Sequence, residues 1–238
     1  YSFLDSSGSL YVSGATTSTN FPTTNALQRL LGGTGTSANS DGFLAKLNSS
    51  GNALEFSTFL GGTNTDTAQD VCLDATGNIL LTGKAGSVDF APYANYGSIN
   101  SGGGDGFVAK LNTNGSVLLN FAYLGGTGEE TCYRMALDDR GNVVVVGSTE
   151  SSNFPISSSN VVQAVFGGTA DAFISKLYFA RDELGTEVSL SRQTPGAPLN
   201  QPFGPLVSSN NWTNISLTTL VSSNDPAPQA NTRFQRGI

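Results

Sequence analysis

Carboxylates and lysines recur along this chain at spacings that invite a chemical reading. Asp41, Asp105 and Asp171 are each followed five residues later by a lysine, at Lys46, Lys110 and Lys176. Two acid pairs, Asp138-Asp139 and Glu129-Glu130, supply the residue type that glycoside hydrolysis needs. Histidine is absent, which removes Ser-His-Asp and Cys-His nucleophiles and the commonest metal ligand. Asp138-Asp139 aligns with Asp74-Ala75 and Asp5-Ser6, which marks a hairpin turn, and Glu129-Glu130 follows a Gly-Gly turn where the other unit has Thr65-Asp66, so both pairs read as structural rather than as a catalytic dyad. Cofactors are therefore not expected. A structural calcium ion is the alternative, because Asp, Asn and backbone oxygens crowd the loops, although the alternating Asp spacing of calcium loops is missing. For the repeated Asp and Lys two readings stand. One is a ligand ring around a central channel. The favoured one is an Asp that caps a strand and a solvated Lys on its outward face.

These residues sit inside a repeat. Asp41-Gly-Phe-Leu-Ala-Lys-Leu-Asn48 returns as Asp105-Gly-Phe-Val-Ala-Lys-Leu-Asn112, 64 residues later, and as Asp171-Ala-Phe-Ile-Ser-Lys-Leu177 after a further 66. Within a unit, a turn glycine (Gly51, Gly115), a Gly-Gly-Thr word (Gly61, Gly125), a Leu-Asp-x-x-Gly turn (Asp74, Asp138), a lone glycine (Gly83, Gly147) and a phenylalanine (Phe90, Phe154) keep their offsets. Asp5, Gly8, Gly14 and Phe21 match the second half of a unit. Self-similarity at such a period marks a repeat architecture. Residues 1–192 are accordingly one repeat domain: a half unit 1–40, units 41–104 and 105–170, and a partial unit 171–192.

Each unit holds four short apolar runs, at about 106–112, 117–124, 131–137 and 142–148 in the second. Phe107, Ala109 and Leu111 alternate with Val108 and Lys110, the pattern of a half-buried strand. Val143 to Val146 is a continuous β-branched run, expected to be covered on both faces. Asn112-Thr-Asn-Gly115 and Asp138-Asp-Arg-Gly141 supply tight hairpins. The fold class is all-β, with propeller-type repeats of four antiparallel strands. The Gly-Gly-Thr words precede strands or turns rather than helices, so they are punctuation and not a phosphate cradle.

These words, D-x-F-x-x-K-L-N-x-x-G (Asp41 to Gly51), Y/F-L-G-G-T (Phe59 to Thr63), L-D-x-x-G-N-x-x-x-x-G (Leu73 to Gly83) and N-F-P (Asn20 to Pro22, Asn153 to Pro155), resemble the bacterial SBBP β-propeller repeat family over about residues 1–178. The resemblance implies a propeller in a secreted or surface protein and no catalytic activity. Asp89-Phe-Ala-Pro92 departs from the N-F-P word, and Arg181 stands where the turn glycine of the partial unit should be.

Three units' worth of pattern is fewer than the four to eight blades of a typical propeller. Residues 1–14 and 171–192 can combine in one sheet, and another chain or the tail can supply the rest. The tail, 193–238, is punctuated by prolines, with one expected strand at 212–221 in which Ile215, Leu217, Thr219 and Val221 alternate. That strand is the candidate for pairing with a neighbouring molecule.

Net charge of −7 from only 12 % charged residues argues against nucleic acid and anionic membranes. No apolar run is long enough for a membrane span. Cys72 and Cys132 have two readings: small packing residues, or a disulfide between neighbouring blades that a secreted location permits. The expected function is a non-enzymatic, extracellular or cell-surface structural or adhesive protein. It would self-assemble as a homo-oligomer, surface layer or filament, or associate with other surface components. The alternative is a glycan- or protein-binding propeller module with Tyr93, Tyr96 and Trp212 as exposed aromatics. A propeller-based polysaccharide lyase or hydrolase ranks third.

Overall fold

Turn chemistry sets the strand ends. Gly51, Gly77, Gly115 and Gly141 close four-residue turns at φ of +67°, +82°, +67° and +79°, values that glycine adopts without a Cβ penalty. A computed structural model describes residues 1–33, 39–90, 100, 102–156, 163–177, 179–181 and 187–190. The described chain is all-β. Sheet 1 contains β1 (Ser2–Leu4), β2 (Leu10–Thr16), β3 (Asp41–Leu47) and β4 (Leu54–Leu60). Sheet 2 contains β5 (Asp66–Leu73), β6 (Ile79–Ala85), β7 (Asp105–Leu111) and β8 (Leu118–Leu124). Sheet 3 contains β9 (Glu130–Leu137), β10 (Val143–Thr149) and β11 (Asp171–Leu177). A ribbon of β12 (Phe179–Arg181) and β13 (Glu187–Leu190) follows. All paired strands are antiparallel neighbours in chain order.

The sheets run half a period out of phase with the sequence units. Sheets 1 and 2 each take the last two strands of one unit and the first two of the next, and sheet 3 takes the last two and the first one. The unit that opens at Asp41 is thus split between sheets 1 and 2. β1 pairs with β2, and β2 pairs with β3 rather than joining the strand begun at 171. The long connections bridge partners within a sheet, such as Thr16 to Asp41 and Ala85 to Asp105. The short Gly-Gly links pass from one sheet to the next.

Each sheet has two faces, and the register names them. The front face carries Leu10, Ile79 or Val143 on the second strand, and the back face carries Tyr11, Leu80 or Val144. The back of sheet 1 (Tyr11, Leu44, Leu60) shares one core with the front of sheet 2 (Ile79, Leu81, Phe107, Leu111). The back of sheet 2 (Leu80, Val108, Leu124) shares the other with the front of sheet 3 (Cys132, Val143, Val145, Leu177). Each large apolar side chain so enclosed contributes ~1.5–3 kcal/mol.

The lone glycines owe their place to this packing. On β5 and β9 a bulge leaves Gln69 and Tyr133 unpaired, and Gly83 and Gly147 face the distorted backbone. Opposite each glycine, at Gly14, Gly83 and Gly147, stands the phenylalanine of the D-x-F word: Phe43, Phe107 and Phe173. Its ring lies within 3.0 Å of where a Cβ would be in all three sheets. A second phenylalanine, Phe21, Phe90 or Phe154, packs on that ring at 4.6–5.3 Å between centroids.

One expectation for the strands fails. Val143 and Val145 are fully buried, but Val144 is half-buried and Val146 is 39 % exposed. The run is covered on its front face alone, because no further sheet packs behind sheet 3 among the described residues. The expected tail strand, with Ile215, Leu217, Thr219 and Val221, lies outside the described residues. Among those residues no helix is long and apolar enough to cross a membrane.

Candidate functional site

The repeated Asp and Lys meet, but each lysine finds the acid of a different turn. Asp5, Asp74 and Asp138 each open a Leu-Asp-x-x-Gly turn. There Oδ1 accepts the backbone N–H groups two and four residues on, at 2.8–2.9 Å. The other oxygen faces a lysine two strands away in the same sheet: Lys46 at 4.0 Å from Asp5, Lys110 at 2.6 Å from Asp74, Lys176 at 2.7 Å from Asp138. The expected solvated lysine is therefore corrected. Lys110 and Asp74 are only 2 % and 5 % exposed, because the back face of sheet 2 is roofed by β9. Burial pushes the Asp74 carboxyl up, but the Lys110 ammonium and the Thr76 donors outweigh it and hold it at about 2.

The Asp of each D-x-F word lies at the other end of its strand, and Asp41 and Asp105 stand against the Gly-Gly links at Gly61 and Gly125. Asp41 accepts hydrogen bonds from Gln28 Nε2 and Gly32 N, each at 2.8 Å. Asp171 repeats this with Gln163 Nε2 at 2.9 Å and Gly167 N at 2.7 Å. The expected strand cap is thus a short loop clamp. Across the link stands a second acid, Asp66 or Glu130, which accepts from Gly62 N at 2.7 Å or Gly126 N at 2.9 Å. Ser87 also donates to Asp66, and Thr149 to Glu130. A Cβ on Gly125 would lie 2.5 Å from both Asp105 Oδ1 and Glu130 Oε2, so only glycine leaves these carboxylates room. Asp41, Asp66, Asp105 and Glu130 are all essentially buried. As they stand, no polymeric substrate reaches them.

Burial raises Asp66 to about 6, against donors from Ser87 and Gly62 and with help from the charge of Asp41. Asp41 is raised too, chiefly by burial. A carboxyl whose folded value lies above its unfolded one contributes fully below the unfolded value of 3.8, and that contribution is lost as pH rises towards 6. Asp5, Asp74, Asp89 and Asp138 are shifted downwards, so their contribution is lost as pH falls below 3.8. Stability should therefore peak near pH 4 and fall by about 2–3 kcal/mol on going to pH 7. Urea midpoints across pH 3–8 check this, and a flat profile from 4 to 7 would contradict it.

Both cysteines are free thiols in the structure, not a disulfide. Cys72 on the back of sheet 2 and Cys132 on the front of sheet 3 line the same core. Burial pushes each thiol up to about 12, which makes both poor nucleophiles. Among the described residues no group of three or more His, Cys, Asp or Glu side chains is placed to hold a metal ion. Tyr93, Tyr96 and Trp212 lie outside the described residues.

The sequence offered no signal for one cluster. At a single register position at the first strand of each sheet, the three sheets carry Tyr1, Asp70 and Arg134. Arg134 stacks 3.9 Å above the Tyr1 ring. Asp70 accepts the Met135 N–H at 3.0 Å, tying β5 to β9. The three residue types differ at a position where the repeat should make them alike, so only the pairing reveals that they are neighbours.

No curated protein matches the chain. The family model of the SBBP beta-propeller repeat matches residues 119–155, which run from β8 through β9 and β10 to the Asn153-Phe-Pro155 word. Residues 119–155 thus carry the SBBP-type β-propeller repeat, and the described chain folds into antiparallel sheets of four, four and three strands and a two-stranded ribbon that do not close into a ring among the described residues.

Proposed function

We propose that this chain is a non-enzymatic, extracellular structural module that works by self-association. The observation that carries the reading is the contrast at one repeat position. Leu44 and Val108 are fully buried there, whereas Ile174 is 36 % exposed. A repeat that buries this position wherever a following sheet exists leaves it open in sheet 3. Solenoid-like stacks need polar caps at such ends, and an apolar end is a surface for association. The acids and lysines favour the same reading, since they recur from sheet to sheet and are spent on internal turns and clamps. Sparse charge and loops rich in Ser, Thr and Asn suit a secreted or cell-surface setting, where such a module serves in a surface layer, filament or adhesive.

Light scattering and negative-stain microscopy of the purified chain test this. Mass that grows with concentration is expected. A monomer up to ~100 μM, a concentration at which typical specific interfaces are saturated, would overturn it. The propeller would then be a binding module for glycan or protein.

A further inference from the structure

Which surfaces meet follows from the repeat, position by position. On the back of sheet 3, Val144, Val146 and Ile174 are half-buried or exposed. Their counterparts on sheet 1 (Tyr11, Ser13, Leu44) and on sheet 2 (Leu80, Thr82, Val108) are at most 2 % exposed. On the front of sheet 1 the mirror situation holds. Leu4 is 54 % exposed, and Leu10, Val12 and Leu47 are half-buried. The counterparts of Leu10, Val12 and Leu47, which are Ile79, Leu81 and Leu111 on sheet 2 and Val143, Val145 and Leu177 on sheet 3, are at most 2 % exposed, and those of Leu4, which are Leu73 and Leu137, are half-buried.

The two open faces are thus the two halves of a seam that the molecule already forms twice. Back of sheet 1 on front of sheet 2, and back of sheet 2 on front of sheet 3, use the same register positions and the same class of side chain. The Phe that anchors each front face is in place on sheet 1, with Phe21 packed on Phe43 and Phe59. Among the described residues after β11, β13 lies against β8 of sheet 2 rather than over the back of sheet 3.

Resting on the self-association reading, we infer that the back of sheet 3 docks the front of sheet 1 of a second copy of this chain. The contact is head-to-tail, so each added copy presents a fresh back face and growth continues until a ring closes or a filament forms. Burying a lysine without a partner in such a seam is costly. Position 174 is exposed and position 4 more so, so both tolerate the change in an isolated molecule.

The test uses the full chain and the single variants Ile174→Lys and Leu4→Lys, followed by sedimentation velocity. Each variant alone should need on the order of 100-fold higher concentration than the parent to associate. An equimolar mixture should stop at a heterodimer, because the first variant keeps its sheet 1 front and the second its sheet 3 back. Variants that assemble like the parent would overturn the docking faces while self-association stands. A parent that is monomeric throughout would overturn both. If Ile174→Lys lowers the melting temperature of a monomer, the chain covers that face itself and the proposal falls.

Discussion

Replacing Lys110 by methionine should cost the fold about 3–5 kcal/mol, whereas Lys176→Met should cost about 1 kcal/mol or less. The two lysines hold the same place in the repeat and make the same ion pair, at 2.6 and 2.7 Å. They differ in surroundings. Lys110 lies at 2 % exposure beneath β9, and removing it strands the Asp74 carboxylate in the core. Lys176 is 21 % exposed on the open face of sheet 3, where water replaces it. Urea denaturation at pH 7 measures both. Adding Asp74→Asn to the Lys110→Met variant should recover part of the loss. The amide keeps an acceptor for Thr76 and Asn78, and it removes the unpaired charge. Equal costs for the two lysines would mean that the pair in sheet 2 is as wet as the pair in sheet 3.

Gly83→Ala and Gly147→Ala should each lose about 3–5 kcal/mol, enough to leave much of the chain unfolded at 37 °C. A Cβ on Gly83 would stand 1.9 Å from the Thr67 carbonyl oxygen, and one on Gly147 2.1 Å from that of Thr131. Both obstacles are backbone next to a β-bulge, so no rotamer change relieves them. The Phe107 and Phe173 rings close the other side, at 3.0 and 2.5 Å. Gly168→Ala, with nothing within 4 Å, is the control and should change stability by less than about 0.5 kcal/mol. Thermal melts followed by circular dichroism read all three. A Gly147→Ala protein as stable as the control would mean that the bulge relaxes freely.

Much of this was legible beforehand. The strand positions followed from period-2 alternation between turn glycines, and the second unit's runs agree with β7 to β10 to within about two residues. The repeat words explain themselves once paired: the Phe of D-x-F exists to cover the lone glycine on the adjacent strand, and the Gly-Gly link makes room for two buried acids. The sequence also placed Asp138-Asp139 in a hairpin turn, because Asp74-Ala75 stands there in the other unit, whereas Glu130 opens β9 as a buried carboxylate.

Which strands share a sheet was not legible. Local alternation says that a segment is a strand, but sheet membership depends on hydrogen bonds across connections such as 17–40 and 86–104, whose ends the pattern does not tie together. Grouping by repeat unit therefore split each sheet in two. The environment of each repeated residue was hidden for a related reason. Lys110 and Lys176, or Val108 and Ile174, read alike in the chain. Whether another sheet lies over them is a property of the stack. The meeting of Tyr1, Asp70 and Arg134 is of the same kind, since three unlike residues become neighbours only where the first strands of three sheets converge. The repeat, the strands and the turns could be read along the chain, because they rest on side-chain alternation and backbone freedom over a few residues. Which faces are covered could not, because burial is set by what packs against a residue and not by the residue.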